Sequence, residues 1–351
     1  MSNTFREYLR TIASGTHTSK DLSREDAHMA TRLMLLQEAT PAQIGAFMIA
    51  HRIKRPSVPE IAGMLDAYEE LGPLLSTDDL KFNYPLTVFG TPYDGRSRTA
   101  PVLPLTMLIL AAAGVPVVAH GGDTMPTKYG IPLVEIWRGL GLDFSTLSLA
   151  HSDRCLRQTG LGFIYTPRHF RAVHELTPYR EQIGKRPPLA TIELIWSPYR
   201  GNIHQVCGFV HPPTEERFQE TLNLRGVNYF TMVKGLEGSC DLPCSRTGII
   251  GAGNPTDPPS FDRLFINPRD YSFTTQDTEL SSLDALLDSF KSLLNGQNND
   301  LTDAAIYNAG FYLWRCNVCE SLKDGFTEAE SYFKSGKALA KLREIDNLLN
   351  P

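Results

Sequence analysis

The sequence predicts an α/β protein in which a small N-terminal helical domain precedes a larger mixed α/β domain, whose mainly parallel central sheet is flanked by helices. Two strand, loop and helix units follow each other within residues 86–141, and consecutive units of this kind build parallel sheets. Residues 1–72 carry helix signals only, and residues 281–349 return to helical spacing. We therefore expect a helical domain over 1–72, a connection over 73–85 and an α/β domain over 86–351.

Residues 1–72 are predicted to form four short helices. Ser23, Thr40 and Ser57 each stand three positions before an Asp, Gln or Glu, a spacing typical of helix N-caps. Apolar residues recur every three or four positions behind these caps, and Gly72 ends the last run. The pattern predicts a helical subdomain used for packing or as a dimer surface.

The larger domain alternates strand and helix signals. Residues 168–185 are a candidate for packing on the helical domain. Apolar runs bounded by turn residues predict strands at 86–89, 115–119, 162–165, 190–196, 205–210, 229–233, 248–250 and 264–266. Helical spacing predicts helices at 131–140, 170–183, 215–222, 281–294, 302–319 and 327–349, the last opened by a capping box at Thr327.

Composition excludes several classes of protein. With 42% hydrophobic and 21% charged residues, the chain has ordinary globular values. Pro104 and Pro116 interrupt its most apolar run, so no membrane span is predicted, and the charged start without an apolar signal region predicts a cytoplasmic protein. A net charge of -5 removes the simplest argument for a nucleic-acid partner, although a local basic face stays open.

The six cysteines are expected to be reduced in a cytoplasmic chain. Cys240 with Cys244 and Cys316 with Cys319 have spacings that a four-thiolate zinc site would allow. Cys316 and Cys319 also lie in an apolar helical pattern, where cysteine acts as a small core residue, and this second interpretation is favoured.

Two motifs stand where predicted strands end, GTPYDG at 90–95 and HGGDTMPTKYG at 120–130. Ligands of parallel α/β sheets lie at the carboxyl ends of strands, so these motifs mark the predicted site. Small residues such as Gly90 let backbone N–H groups approach an anion closely. Asp94 and His120, in the two loops, are expected to face one shared hollow able to receive a phosphorylated ligand.

The order of these motifs resembles the anthranilate phosphoribosyltransferase family, which is related in fold to the pyrimidine nucleoside phosphorylases. The resemblance covers nearly the whole chain and includes residues 22–65 at the helical start and 307–342 near the C-terminus. Members of this family transfer a ribose 5-phosphate group from phosphoribosyl pyrophosphate to an aromatic amine. The resemblance implies this activity, a homodimer formed through the N-terminal helices, and a place in tryptophan biosynthesis.

The family's phosphate-binding motifs imply a set of site residues. Its G-T-G-G-D turn matches residues 90–94, with Pro92 and Tyr93 in place of glycines, which implies a changed grip on phosphate. Its Lys-His-Gly-Asn motif implies His120 as the catalytic candidate, although a structural imidazole gives the same sequence. The candidate substrate-binding residues are Gly90, Thr91, Asp94, Arg96, Arg98, Gly121, Thr127, Lys128 and Arg180, of which Arg96 and Arg98 are open to a plain solvated role.

The family's metal ligands are only partly kept. Its metal-binding serine falls on Leu103, which cannot bind a hard cation, and its Asp-Glu pair falls on Cys240 and Asp241. Glu237 and Asp241 are therefore the candidate ligands of a weakened Mg²⁺ site. Two loop carboxylates bonded to backbone N–H groups are an equally good interpretation.

The acceptor pocket also departs from the family. Arg180 matches the arginine that contacts anthranilate, but Phe170 and Gly122 replace a histidine and an asparagine beside that substrate. Because hydrogen bonds built into a site dominate polar discrimination, the resemblance implies another acidic or aromatic acceptor of unknown identity.

Two alternatives to a phosphoribosyltransferase stay open. One is phosphorolysis of a nucleoside, which kinship of fold alone suggests. The other is a divergent family member that binds nucleic acid or another phosphate-containing ligand. Its basic groove would be drawn from Arg96, Arg98, Lys128, Arg168, Arg171 and Lys234.

Overall fold

The computed structural model describes residues 3–15, 17–76 and 82–350, so the middle of the predicted connection, 77–81, lies outside the described residues. The helices are α1 (Asn3–Ile12), α2 (Arg24–Leu35), α3 (Pro41–Lys54), α4 (Val58–Leu71), α5 (Leu103–Ala112), α6 (Leu133–Gly139), α7 (Leu149–Thr159), α8 (Thr166–His169), α9 (Arg171–His174), α10 (Thr177–Ile183), α11 (Leu189–Ile195), α12 (Pro212–Leu224), α13 (Leu283–Leu294), α14 (Thr302–Arg315), α15 (Leu322–Lys334) and α16 (Lys337–Leu349). The strands are β1 (Leu86–Gly90), β2 (Val117–Gly121), β3 (Leu161–Tyr165), β4 (Ile203–Gly208), β5 (Phe230–Val233), β6 (Gly248–Asn254) and β7 (Ser260–Ile266).

The strands form one seven-stranded sheet in the order β3-β2-β1-β4-β5-β6-β7. The first five strands in this order are parallel, and β6 and β7 are antiparallel. Phe89 of β1 lies opposite Ala119 of β2 and Val206 of β4, so these three strands end at the same edge of the sheet. The mainly parallel sheet that the sequence predicts is confirmed.

The sheet separates two apolar cores, because consecutive strand residues point to opposite faces. Phe89 belongs to the core that α5 and the C-terminal helices cover, where it contacts Tyr312 with ring centroids 5.2 Å apart. Val88 belongs to the other core, which also contains Tyr68 and Trp196. The helical domain therefore packs directly on one face of the sheet and shares its core.

The predicted helix caps of the helical domain are present. Ser23 accepts a hydrogen bond from the Asp26 N–H at 3.0 Å. Thr40 and Gln43 bond each other reciprocally at the start of α3. At the start of α4, the Ser57 N–H donates to Glu60 Oε2 at 2.7 Å. Each cap satisfies backbone groups that a helix end leaves free.

The strand predicted at 190–196 is wrong, because these residues form α11. The chain reaches this segment through Pro187 and Pro188, which suit a helix start, and β1 already has strands on both sides. α11 lies against the end of β1 instead. A Cβ atom at Gly90 would stand 1.8 Å from the Leu194 carbonyl oxygen, so only glycine permits this approach.

The C-terminal prediction of one helix over 327–349 is also wrong. The chain forms α15 and α16, separated at Gly336, whose φ of 73° interrupts the helix. The cap of α15 is Ser321, which accepts from the Asp324 N–H at 3.2 Å, so Thr327 lies inside the helix. Within the part of the chain that the structure describes, no helix has the length and apolar character needed to span a bilayer.

The segment 168–185 forms the end of α8, then α9 and α10, rather than one helix over 170–183. Phe170 packs its ring against Tyr68 of the helical domain, with centroids 5.3 Å apart. The Tyr179 hydroxyl donates to Gln37 Oε1 at 2.8 Å. Both contacts pack the segment on the helical domain.

Candidate functional site

A cleft of about 1000 Å³ opens beside the carboxyl ends of β1, β4 and β5. One wall comes from the loops after β1 and β2, and contributes Asp94 and Lys128. The end of α3 and the start of α12 also line the cleft, and contribute Arg55 and Arg217. The cleft therefore lies between the helical domain and the α/β domain, where a parallel sheet places its ligands.

The cleft is strongly basic, although the chain carries a net charge of -5. The three acids that line it are already bonded to protein groups. Asp94 pairs with Arg186, Glu237 pairs with Lys128, and Asp277 accepts from the Cys244 N–H at 2.7 Å. The seven lining cations are Arg52, Arg55, Arg98, Lys128, Arg186, Arg217 and Arg246. An anionic ligand would meet this excess of positive charge.

Asp94 is held by a residue that the sequence did not indicate. Its side chain is buried and accepts from Arg186 Nε at 3.0 Å, while Arg186 Nη2 contacts the other carboxylate oxygen. This two-point pairing fixes the guanidinium at the cleft. Arg186 lies in the loop before α11, outside both strand-end motifs, and only the clustering of Lys185 and Arg186 beside two prolines could have drawn notice to it.

Arg96 bonds both acids that the sequence predicts as metal ligands. It is buried, and its Nη1 lies 2.7 Å from Asp241 Oδ2 and 2.7 Å from Ser239 Oγ. Its Nε lies 3.3 Å from Glu237 Oε1. One guanidinium therefore bridges the two acids that the sequence assigned to magnesium.

Glu237 has further partners that fix it as a structural anion. The Lys128 ammonium contacts its Oε2, and the N–H groups of Arg98 and Thr99 each donate to Oε1 at 3.0 Å. Burial by itself would raise the pKa of Glu237, but Lys128 and these N–H groups hold that pKa well below its usual range. The carboxylate thus shapes the loop after β1.

These contacts do not fit the predicted role of Glu237 and Asp241 as magnesium ligands. Both carboxylates already neutralise Arg96 or Lys128, and a divalent cation placed between them would meet two positive groups. Among residues 3–15, 17–76 and 82–350, no group of three His, Cys, Asp or Glu side chains is arranged to hold a metal ion. Cys240 instead donates its thiol to the Gly90 carbonyl oxygen at 3.2 Å.

His120 does not line the cleft. Its Nδ1 lies 2.7 Å from the Tyr93 hydroxyl and its Nε2 lies 3.1 Å from the Trp196 carbonyl oxygen, so both ring nitrogens have partners. Burial lowers the pKa of His120 to about 4, against the opposing effect of the Trp196 carbonyl. The expectation that His120 and Asp94 face one hollow is corrected, because the Tyr93 ring and its hydroxyl stand beside the imidazole.

Arg180 also lies away from the basic cleft. It is buried in α10 and its Nη1 donates to Glu193 Oε1 of α11 at 2.5 Å. The pair lines a separate cavity of about 20 Å³. The sequence predicts that Arg180 binds a carboxylate of the substrate, whereas in the structure Arg180 already pairs with the Glu193 carboxylate.

The structure thus brings together part of the predicted site. The predicted site residues that line the basic cleft are Asp94, Arg98, Thr127, Lys128 and Glu237. Those that do not line it are Gly90, Thr91, Arg96, His120, Gly121, Arg180 and Asp241. Two residues of the basic groove predicted for a nucleic-acid binder also lie outside the cleft. Arg168 donates to the Thr146 carbonyl, and Arg171 pairs with Glu175.

The fold and the cleft define a two-domain α/β protein with a basic site between a helical bundle and the carboxyl ends of parallel strands. Family models match the glycosyl transferase helical bundle domain over residues 6–72 and the glycosyl transferase a/b domain over residues 96–339. The chain belongs to this glycosyl transferase family.

Similar proteins agree with this assignment. The chain is 27% identical to the anthranilate phosphoribosyltransferase of Chromobacterium violaceum over 321 residues, or 90% of each chain. It is 28% identical to the enzyme of the same name from Afipia carboxidovorans over 347 residues, or 97% of each chain. The predicted family resemblance is confirmed.

Solved structures agree in fold. The chain matches anthranilate phosphoribosyltransferase from Saccharomyces cerevisiae in complex with PRPP and Mg with a TM-score of 0.82 and 16% identity, covering 99% of this chain and 98% of that one. It matches the Thermus thermophilus enzyme with a TM-score of 0.76 and 19% identity over 100% of both chains. The predicted architecture, a helical domain beside a mainly parallel α/β domain, is confirmed.

Proposed function

We propose that this protein is a phosphoribosyltransferase that binds phosphoribosyl pyrophosphate, or a similar sugar phosphate, in the basic cleft and transfers the phosphoribosyl group to an aromatic amine or related acceptor. The observation that carries the proposal is the cleft itself, whose lining contains seven cations and three acids; two of these acids pair with Arg186 and Lys128, which are among the seven. Membership of the glycosyl transferase family supports the type of reaction.

In this reaction the bond between the anomeric carbon and the pyrophosphate oxygen breaks, and the acceptor nitrogen bonds to that carbon and loses a proton. Negative charge collects on the departing pyrophosphate while positive charge develops at the sugar. Arg98, Lys128 and Arg186 all line the cleft, and we assign to them the stabilisation of that leaving charge.

We further propose that side-chain cations replace magnesium at Glu237 and Asp241. A solved relative is in complex with PRPP and Mg, so metal belongs to that protein. In this chain Glu237 and Asp241 pair with Arg96 and Lys128, so neither of these two carboxylates is free to bind a hard cation. The charge of the pyrophosphate would then be balanced by the protein alone.

Calorimetry tests this proposal with a matched pair of variants. Arg98→Ala removes a cation whose side chain is 78% exposed in the cleft, and Arg171→Ala removes one that is 81% exposed outside it. Arg98→Ala is expected to weaken phosphoribosyl pyrophosphate binding about tenfold, the effect of losing one charge-assisted hydrogen bond, and Arg171→Ala is expected to change it less than about twofold.

A chelator distinguishes the metal-free site from the usual one. Binding that persists in EDTA, within about twofold of its value with magnesium, supports cation replacement. Loss of binding in EDTA contradicts it.

Single-stranded DNA tests the alternative of a nucleic-acid binder. Tight DNA binding whose affinity falls steeply with salt, together with no binding of phosphoribosyl pyrophosphate, would support that alternative and overturn the transferase.

A further inference from the structure

Two of the seven cations that line the basic cleft have no protein partner. The other five contact carbonyl or carboxylate oxygens, and these are Arg52, Arg98, Lys128, Arg186 and Arg246. Arg55 ends α3, and Arg217 lies in the second turn of α12. Within the residues that the structure describes, neither of these two guanidinium groups has a hydrogen bond or an ion pair. Arg55 and Arg217 are therefore the cleft cations that are free to bind an anion.

Arg55 and Arg217 lie close enough to repel each other. Burial lowers the pKa of Arg217, and the charge of Arg55 lowers it further, while Glu216 acts in the opposite direction. Two neighbouring cations that no ion pair neutralises create a local field that attracts an anion. This end of the cleft therefore favours an anionic group of its own.

The backbone of Arg55 is strained. Its φ of 66° and ψ of 129° lie in a region that glycine adopts readily and that residues with a side chain rarely adopt. Strain of this kind is concentrated at functional sites, where the surrounding structure maintains it. The conformation gives the exposed guanidinium no bond to the described part of the protein, which favours a ligand as its partner.

His51 adds an unused nitrogen at the same end of the cleft. It lies one helical turn before Arg55, is buried, and also lines the cleft. Its Nε2 lies 3.0 Å from Glu60 Oε1, whereas its Nδ1 is buried without a hydrogen-bond partner in the described part of the chain. Buried polar atoms are rarely left unbonded, and a polar occupant or a water held at this end of the cleft would satisfy Nδ1.

The cleft has room for a second anionic group. Its volume of about 1000 Å³ is at the upper end of the roughly 300–1,000 Å³ typical of small-molecule sites. The groups that we assign to the leaving pyrophosphate are Arg98, Lys128 and Arg186, which come from loops of the α/β domain. Arg55 and Arg217 belong to α3 and α12, so they are available for a different group.

We propose that Arg55 and Arg217 form a second anion subsite of the cleft and that this subsite binds a phosphate monoester. The inference rests on the proposed function, in which the monoester belongs either to the acceptor or to the 5′ position of the donor. Each guanidinium presents several N–H donors in one plane, so two of them can together bond the three terminal oxygens of a monoester.

Ribose 5-phosphate is the probe, because it carries a phosphate monoester and no pyrophosphate. Calorimetry on the full chain is expected to show that Arg55→Gly and Arg217→Gln each weaken its binding at least about tenfold, the effect of losing a charge-assisted hydrogen bond. Ser272→Gly makes the matched change at another residue of positive φ, which is exposed and lies outside the cleft, and should leave binding within about twofold of the wild type. Absence of ribose 5-phosphate binding, or an unchanged affinity in either arginine variant, overturns the proposal.

Arg55→Gly also separates a binding role from a structural one. Glycine adopts a φ of 66° without strain, so the melting temperature of this variant is expected to equal or exceed that of the wild type while its affinity falls. A lower melting temperature would show that the Arg55 side chain stabilises the fold, which contradicts its assignment to a ligand.

A second titration, on protein saturated with phosphoribosyl pyrophosphate, identifies the source of the monoester. Ribose 5-phosphate binding that persists and still depends on Arg55 assigns the subsite to a phosphorylated acceptor. Competition between the two ligands, together with phosphoribosyl pyrophosphate binding at least about tenfold weaker in Arg55→Gly, assigns the subsite to the 5′-phosphate of the donor.

Inorganic pyrophosphate, measured on the same samples, separates this inference from the proposed function. Pyrophosphate binding without ribose 5-phosphate binding refutes the subsite and leaves the transferase proposal standing. Ribose 5-phosphate binding that depends on Arg55 and Arg217, without binding of pyrophosphate or phosphoribosyl pyrophosphate, refutes the transferase and leaves the subsite as a phosphate site.

Discussion

Arg96 and Lys128 decide what the neighbouring acids can do. Carboxylates at Glu237 and Asp241 would suit a metal ion in isolation, yet each already has a cation within bonding distance. A charge-assisted bond of 2.7 Å from Arg96 to Asp241 is among the stronger contacts available to a side chain. Whether such a carboxylate can bind a metal ion therefore depends on the cation beside it more than on its sequence motif.

His120 is predicted to stabilise the folded protein. His120→Ala removes the partner of the Tyr93 hydroxyl and of the Trp196 carbonyl in a buried region, so we expect the free energy of unfolding to fall by about 3 kcal/mol. Urea denaturation measures this loss. His151→Ala, at an exposed histidine of α7, is the control and should stay within about 0.5 kcal/mol of the wild type. Wild-type stability with lost ligand binding in His120→Ala would instead restore the catalytic role.

Glu60 is predicted to make the helical domain sensitive to acid. Burial opposes its charge, but His51, the Leu22 N–H and Lys54 outweigh burial and lower the pKa of Glu60 to about 2. The folded pKa lies below the unfolded value of about 4.3, so the stabilisation is complete above that value and is lost as pH falls toward 2.

Glu60→Gln should therefore cost about 3 kcal/mol near neutral pH, and the gap from the wild type should close between about pH 5 and pH 2. Denaturant unfolding across that pH range provides the test. Glu7→Gln, at an exposed residue paired with Arg10, should show no such trend. A gap that stays constant with pH would show that the Glu60 carboxylate does not supply the effect.

At the scale of elements, close approach explains where the prediction from sequence failed. α11 occupies the space beside β1 because Gly90 has no side chain, and a strand at 190–196 could not pair with β1, which already has β2 and β4 on its two sides. α14 and α15 meet in a similar way, at Gly310 and Gly325. Apolar periodicity predicts which face of an element is buried, but it does not predict how closely the backbone of a neighbouring element approaches.

The contact between α14 and α15 is predicted to tolerate no added methyl group. A Cβ atom at Gly325 would lie 2.3 Å from the Gly310 carbonyl oxygen, so Gly325→Ala should destabilise the protein by about 2–3 kcal/mol. Gly336→Ala is the comparison. Apart from the adjoining residues of its own chain segment, no described heavy atom lies within 4 Å of a Cβ atom at Gly336, so only its φ of 73° costs about 1 kcal/mol. Thermal unfolding that ranks Gly336→Ala as the more harmful change would contradict this packing.

At the scale of the whole molecule, an acidic chain builds a basic cleft between two domains that share one core. Arg225 of the segment after α12 pairs with Asp66 and Glu69 of α4 and ties the domains together. Arg52 of α3 donates to the Arg186 carbonyl at 2.6 Å, and both residues line the cleft. The site therefore needs both domains, since each supplies cations to the same space.

The homodimer that the resemblance implies stays a prediction. Met29 and Leu36 expose apolar side chains on the helical domain, and a dimer formed through that domain would bury them. Sedimentation should show a dimer for the wild type and a shift toward monomer for Leu36→Asp. Phe265→Asp, on the distant strand β7, should leave the dimer intact. A strictly monomeric wild type would contradict the expectation.

The sequence by itself determined the helical start, the parallel direction of the first strands and the edge of the sheet beside which the cleft opens. Periodicity and capping residues encode these features locally, since each reports the burial of its own neighbourhood. Only the tertiary structure decided that Arg96 meets Asp241 across 145 positions and that Arg186 meets Asp94 across 92. These charged residues pair because folding brings together loops that are far apart in the sequence. A local sequence pattern does not encode which loops meet.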